Sequence, residues 1–364
     1  MPEVLVVRPT PRGGRARLDP SVREAREVVG MYGDPATTWG ICVELTLSAS
    51  ADAETLRERA AALCAGHPHL GAAPAVTRPA DSQWTGVRAD VAAAPYGPTS
   101  ALLRLALSSD GTRLLVGAHH GVVDGLGLLA VAGSVAGREL RTRARGIGDR
   151  RSPHGFLASS VRRLGEAVVS PPARFEGAGE RDSALEDLTA VTRPRVDRGT
   201  VDLARAVLAL HHDAFSGSRR RPVLVIGASR RTSDLPVPDR QTAYLRLRAR
   251  PGGAGRTPLG PAIAGLRPEP DFPETSARGA APLVVRLLRN RLGSTAMLSN
   301  LGLVQGDGVE SVAMYPASSG PRSVAVGLAS TATTTTVSLR TRRHEFDADE
   351  HARLLAGVAD RFFG

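Results

Sequence analysis

The chain has 364 residues, 42% of them hydrophobic, and a formal charge of +11. It is long enough for two ordinary domains, with apolar material for a sizeable core. It has no apolar run of 18 residues, which argues against a membrane-spanning helix, and its two cysteines, Cys42 and Cys64, cannot make a disulfide scaffold. The N-terminus lacks the basic start and long apolar stretch of a secretory signal, so a cytoplasmic protein is expected. Every lysine-or-arginine position is arginine. That bias fits GC-rich coding, and it also fits a surface that attracts anionic partners. Aromatic residues make up 4% of the chain and no basic stripe alternates with them, so nucleic acid is not expected as a partner. No Cys/His cluster has metal-ligand spacing, and no metal is expected.

In chain order, Trp39 to Leu47 alternates as a strand does, and Glu54 to Cys64 carries Leu56, Ala60, Leu63 and Cys64 on one helical face. His67-Pro68-His69-Leu70-Gly71 ends that helix. Ala101 to Leu107 and Arg113 to Ala118 read as a hairpin around Ser109-Asp110-Gly111. There follows His119-His120-Gly121-Val122-Val123-Asp124-Gly125, and then an apolar helix from Leu126. Phe156 to Val169 is the next helix, and a domain linker is expected near Ser170-Pro171-Pro172 and the loop after it. This gives lobes of residues 1–172 and 173–364. In the second, Val201 to Phe215 is helical, Pro222 to Ala228 and Gln241 to Arg248 are strands, and Arg250 to Arg278 is a Pro/Gly-rich excursion. Val284 to Leu292 suggests a short helix, Thr295 to Asn300 a strand, and Val324 to Leu328 with Thr333 to Leu339 a strand pair. Asp347 opens a C-terminal helix running to Phe362. Mixed strands and helices in both halves indicate an α/β sandwich.

The segment from His119 to Gly125 is the candidate for chemistry. An imidazole at the end of a strand can act as a general base near neutral pH. Asp124, four residues after His120, is placed to fix the turn or cap the following helix. Gly125 permits either a close backbone approach or a positive φ. His67 and His69 read as helix-exit residues, His211 and His212 as surface or core packing, His344 and His351 lie near the C-terminal helix with no partner motif, and Arg219-Arg220-Arg221 reads as a solvated turn or an anion contact.

These residues resemble the superfamily of condensation domains and CoA-dependent acyltransferases. Its H-H-x-x-x-D-G signature is met by His119, His120, Asp124 and Gly125. His67-Pro68-His69-Leu70 matches an upstream H-P-x-L-R, with Gly71 in place of the arginine. Ala228 to Arg231 resembles a strand end followed by a polar turn with arginine, Ser299-Asn300-Leu301-Gly302 resembles S-N-x-G, and Phe346-Asp347 opens the last helix as in the family. The resemblance runs from about Leu18 to Phe363. It departs from the family in a shortened 250–278 region and in lacking D-F-G-W-G and the usual opening motif, as in a stand-alone, divergent member.

The resemblance implies two chloramphenicol acetyltransferase-like α/β lobes in a V-shaped pseudo-dimer, with an active-site tunnel between them. It implies an acyltransferase or condensation enzyme joining a thioester-bound acyl group to a small-molecule amine or hydroxyl acceptor, in specialised or nonribosomal-peptide metabolism. The donor would be carried on phosphopantetheine of an acyl or peptidyl carrier protein, or on coenzyme A, with no permanently bound cofactor. His120 would be the catalytic base. His119, Asp124, Gly125 and Arg231 would shape the site, with Arg231 pairing Asp124, and Ser299 and Asn300 would line the tunnel. Two alternatives stand beside this: the same fold turned to cyclisation, epimerisation, dehydration or hydrolysis of a tethered intermediate, and a non-catalytic carrier-binding module.

Overall fold

The computed structural model describes residues 40–94, 96, 101–144, 146–180, 183–214, 220–250, 258–270, 288, 291–318 and 320–364. Two β-sheets organise them. In the first, β1 (Gly40–Leu47) lies between β10 (Val309–Tyr315) and β4 (Arg113–His119), antiparallel to both, and β3 (Leu103–Leu107) and β2 (Val76–Thr77) follow. The β3–β4 hairpin turns where Ser108 Oγ and the Thr112 amide both donate to Asp110 Oδ1, at 2.5 and 2.9 Å, with Gly111 at φ +76°.

Period-two patterning sorts this sheet into two faces. Ile41, Val43 and Leu45 of β1 and Leu114, Val116 and Ala118 of β4 face one core. Above it lie α1 (Ala53–Gly66), capped by Asp52 on the Thr55 amide, and α3 (Gly125–Ala136). α3 is apolar nearly all round and buried, as such a helix must be. Each of its fully buried Leu and Val side chains contributes about 1.5–3 kcal/mol. Cys42 and Leu115 point to the other face, where α2 (Trp84–Ala93) packs Trp84, Val91 and Ala92. Cys42 and Cys64 are both free and buried, and burial pushes the Cys42 thiol up to about 12.

The second sheet has the order β6 (Glu186–Pro194), β12 (Thr334–Arg342), β11 (Val324–Ser330), β9 (Ala296–Gln305), β7 (Val223–Ser229) and β8 (Thr242–Arg248). β9 runs parallel to both its neighbours, and β5 (Arg141–Thr142) also pairs with it. α5 (Thr200–Ala214) and α7 (Ala348–Phe363) bury their apolar faces on this sheet. Asp347 and Glu350 form a reciprocal capping box at the start of α7. α4 (Phe156–Val169) keeps Leu157 and Val169 exposed, and α6 (Leu259–Ala264) is a short helix inside the expected excursion.

The halves are interleaved. β10 belongs by sequence to the second half but forms the edge of the first sheet, and β5 crosses the other way. Fully buried Arg340 of β12 donates to Glu186 and, at 2.5 Å, to the Gly40 carbonyl at the head of β1. Of the elements expected from the sequence, only Val284 to Leu292 lies mostly outside the described residues. α2, β6 and β10 were not expected.

Candidate active site

β4 ends at His119, and α3 begins at Gly125. The five residues between form a tight turn, with the Val122 amide donating to the His119 carbonyl at 3.0 Å. His119 is buried; its Nδ1 accepts the Gly121 amide at 3.1 Å, and its ring meets Tyr96 edge-on at 5.0 Å. His120 faces a different environment. Its Nδ1 lies 3.0 Å from the Val123 carbonyl, and its Nε2 lies 2.9 Å from the Tyr244 hydroxyl. A carbonyl can only accept, so Nδ1 carries the proton and neutral His120 has its lone pair on Nε2. Burial holds the imidazole below the usual histidine range. The Val123 carbonyl and Asp124 oppose that shift, and Arg240 and Arg340 reinforce it. His120 is therefore neutral at neutral pH, the state a proton acceptor needs.

Asp124 is the N-cap of α3. Its Oδ1 accepts the Gly127 amide at 2.7 Å and Arg231 Nη1 at 2.8 Å, and its Oδ2 accepts the Gln241 amide at 2.9 Å. Arg231 is buried and also donates to the carboxylate and carbonyl of Asp239 and to the Val237 carbonyl. This carboxylate thus ties the helix bearing the histidine turn to the 230–241 loop of the other sheet. His69 Nε2, 2.7 Å from the Pro238 carbonyl, pins the same loop from α1's exit.

Gly125 has neither the positive φ nor the close backbone approach that its place in the turn suggested. An added Cβ would meet side chains of Met314, Leu301 and Ser299 at 3.3–3.6 Å. The tighter position is Gly127, where a Cβ would lie 2.1 Å from the Asp239 carbonyl oxygen. Gly127 and Tyr244 were not singled out in the sequence, and His69 was noted only within the His67–Leu70 helix exit. Tyr244 did carry a signal: it lies on the face of β8 opposite buried Ala243, Leu245 and Leu247, in company with Arg246 and Arg248.

A cavity of about 780 Å³ opens beside His120. Asp124, Gly125, Tyr244, Ser299 and Asn300 also line it. The Asn300 amide is engaged, donating to Thr200 Oγ1 at 3.0 Å and accepting the Gly302 amide at 2.7 Å. Farther out, Arg163 pairs with Glu269 and Arg246 with Glu166 on the lining. Of the other histidines, His154 and His212 are exposed, and two are packing residues. His211 is buried against Phe175, and His351 sits between the hydroxyls of Thr189 and Thr341 at 2.6 and 2.7 Å. Arg220 and Arg221 are exposed, and Arg219 lies outside the described residues. Among the described residues, no group of three His, Cys, Asp or Glu side chains could hold a metal ion.

No family model matches the sequence, and no curated protein does. Solved structures match it over nearly its whole length. The first condensation domain of the calcium-dependent antibiotic synthetase, in complex with a substrate analogue, aligns with 96% of this chain and 97% of its own at TM-score 0.56 and 16% identity. The starter condensation domain of rhizomide synthetase RzmA, in a mutant complex with C8-CoA and Leu-SNAC, aligns over 95% and 93% at TM-score 0.56 and 13% identity. The epimerization domain from the third module of tyrocidine synthetase B aligns over 90% and 91% at TM-score 0.51 and 12% identity. The chain has the condensation-domain fold. Its α/β architecture is the two-lobed arrangement of those domains, at an identity that marks a divergent example.

Proposed function

We propose that the protein is a condensation-type acyltransferase, with His120 as the base that relieves the acceptor of its proton. The observation that supports this most is a neutral imidazole, with its lone pair on Nε2 toward the Tyr244 hydroxyl, on the lining of a cavity of about 780 Å³. In this reading a thioester donor and an amine or hydroxyl acceptor enter that cavity from opposite ends of a tunnel between lobes of residues 1–172 and 173–364. The donor is an acyl or peptidyl carrier protein or a CoA thioester, drawn by the arginine-rich surface, and the reaction serves specialised metabolism in the cytoplasm. General-base assistance is worth about 10²–10⁴-fold. Holding both reactants together contributes up to about 7–11 kcal/mol. Asp124 and Arg231 position the histidine turn, and Ser299, on the cavity lining, offers a hydroxyl to the tetrahedral intermediate.

The similarity to an epimerization domain favours one second reading, a change of the tethered intermediate without transfer. The test incubates octanoyl-CoA and octanoyl-loaded acyl carrier protein with leucine N-acetylcysteamine thioester and a panel of amines and alcohols. Acyl transfer adds the acceptor's mass to the octanoyl group and frees one thiol. An unchanged or dehydrated donor contradicts transfer, and carrier binding without any chemistry favours a recruiting module.

A further inference from the structure

Resting on the acyl-transfer reading, the geometry points to Tyr244 as a catalytic residue that relays the acceptor's proton to His120. In this arrangement the phenolic oxygen, and not the imidazole, is the atom that meets the acceptor.

The argument starts from the valences of His120. Nδ1 is committed to the Val123 carbonyl at 3.0 Å. Nε2 has one lone pair in the plane of the ring, and the Tyr244 hydroxyl stands 2.9 Å away. A neutral imidazole with its proton on Nδ1 cannot donate from Nε2, so the phenol is the donor. An acceptor N–H or O–H therefore finds that lone pair already occupied. The phenolic oxygen still has its own lone pairs, and Tyr244 lines the cavity. Burial raises the phenol's pKa, with Asp124 adding to the effect, so the proton stays on the oxygen until the imidazole takes it.

The tyrosine is held in place. β8 pairs with β7 in a register that sets Tyr244 opposite Gly227, and the Tyr244 carbonyl accepts the Glu269 amide at 2.8 Å. His120 is held by the turn that Asp124 ties to the 230–241 loop, directly before β8. The pair thus joins one residue from each sheet, and the same loop sets both positions.

The relay balances. The acceptor heteroatom bonds to the thioester carbonyl carbon, and the carbonyl π pair moves to oxygen. The acceptor's proton passes to the Tyr244 oxygen as the tyrosine's own proton passes to Nε2. When the tetrahedral adduct collapses, the C–S bond breaks and the thiolate leaves with the electron pair. A proton returns from Nε2 to the tyrosine while the tyrosine's proton goes to sulfur. The products are the acylated acceptor and a free thiol, with His120 and Tyr244 in their starting states.

Two measurements test this. In the wild-type protein without substrate, ¹⁵N NMR of the His120 imidazole is expected to show a protonated Nδ1 and an unprotonated Nε2 that accepts a hydrogen bond; a protonated Nε2 overturns the relay. With the octanoyl donors and acceptor panel described above, Tyr244→Phe is expected to lower kcat about 10²-fold, the lower end for general-base assistance, with KM nearly unchanged. Adding His120→Ala to it should lower turnover further, because Nε2, freed of the phenol, still takes one proton directly in Tyr244→Phe. The proton inventory in mixed H₂O and D₂O should change from two protons in flight in the wild type to one in Tyr244→Phe. If the wild type turns over and Tyr244→Phe matches it, the relay is overturned and acyl transfer stands. A mass increase of one octanoyl group on Tyr244 itself also overturns the relay. If the wild type frees no thiol from any of these donors, acyl transfer fails and the relay falls with it.

Discussion

Gly127→Ala tests how the catalytic turn is held. An added methyl at residue 127 would sit 2.1 Å from the Asp239 carbonyl oxygen and 3.2 Å from its carbon and nitrogen. All three are backbone atoms, so the contact cannot be relieved by a side chain turning aside. Clearing even a 3.0 Å separation needs a movement of about 0.9 Å by α3 or by the 237–241 loop. The bonds at risk are those that cross this seam: Asp124 to the Gln241 amide at 2.9 Å, Asp124 to Arg231 at 2.8 Å, and the Asp124 amide to the Asp239 carbonyl at 3.3 Å. Overpacking costs about 1–3 kcal/mol. Alanine returns up to about 1 kcal/mol of helix propensity over glycine. A net loss of up to about 2 kcal/mol is therefore expected in urea unfolding. A displacement near 1 Å at a catalytic pair lowers turnover on the order of 10²-fold. Gly125→Ala is the control, since its methyl meets only side-chain atoms at 3.3 Å or more, and it should leave stability nearly unchanged. If Gly127→Ala matches the wild type in both urea midpoint and thiol release, the seam does not hold the site as described.

Three further outcomes follow from buried groups. Arg340→Met leaves the Glu186 carboxylate buried without its guanidinium and removes the bond to Gly40; a loss of about 3–5 kcal/mol is expected in urea, partly recovered when Glu186→Gln is added. Asp124→Asn removes the charge that faces Arg231 in a dry environment, and about 1–3 kcal/mol of stability should go with it, together with most of the turnover. Burial lowers the His351 pKa from 6.5 to about 4, with Arg343 adding to the effect and Asp187 opposing it. The unfolded chain then binds the extra proton first, so the stabilisation is complete above pH 6.5 and is lost as pH falls to about 4. The loss amounts to about 3 kcal/mol. Urea midpoints measured across that window should fall with pH in the wild type and fall less in His351→Gln.

Much of the frame was legible because its patterns are local. β1, β3, β4 and β7 bury alternate apolar residues on one side, and α3 and α7 begin at aspartates that cap them. β6 was hidden because its anchors are polar: Glu186, Asp187 and Thr189 are satisfied by Arg340, Arg343 and His351, and a hydropathy pattern does not register such pairs. β10 joins a strand more than 250 residues away in the chain, a pairing that no local signal announces. At the site, the His119–Gly125 segment stood out, because two histidines and an aspartate between a strand and a helix are rare company. Tyr244 and Gly127 did not stand out, and His69 did so only as part of a helix exit. Each matters through what it meets across the seam, respectively His120, the Asp239 carbonyl and the Pro238 carbonyl.

The central claim is that His120 is the base on which acyl transfer depends, and His120→Ala measures it most directly. With folding checked by circular dichroism and the urea midpoint, thiol release coupled to acyl transfer should fall by about 10²–10⁴-fold, while binding of the octanoyl donor is retained. A folded His120→Ala protein that transfers the octanoyl group at the wild-type rate would contradict the account.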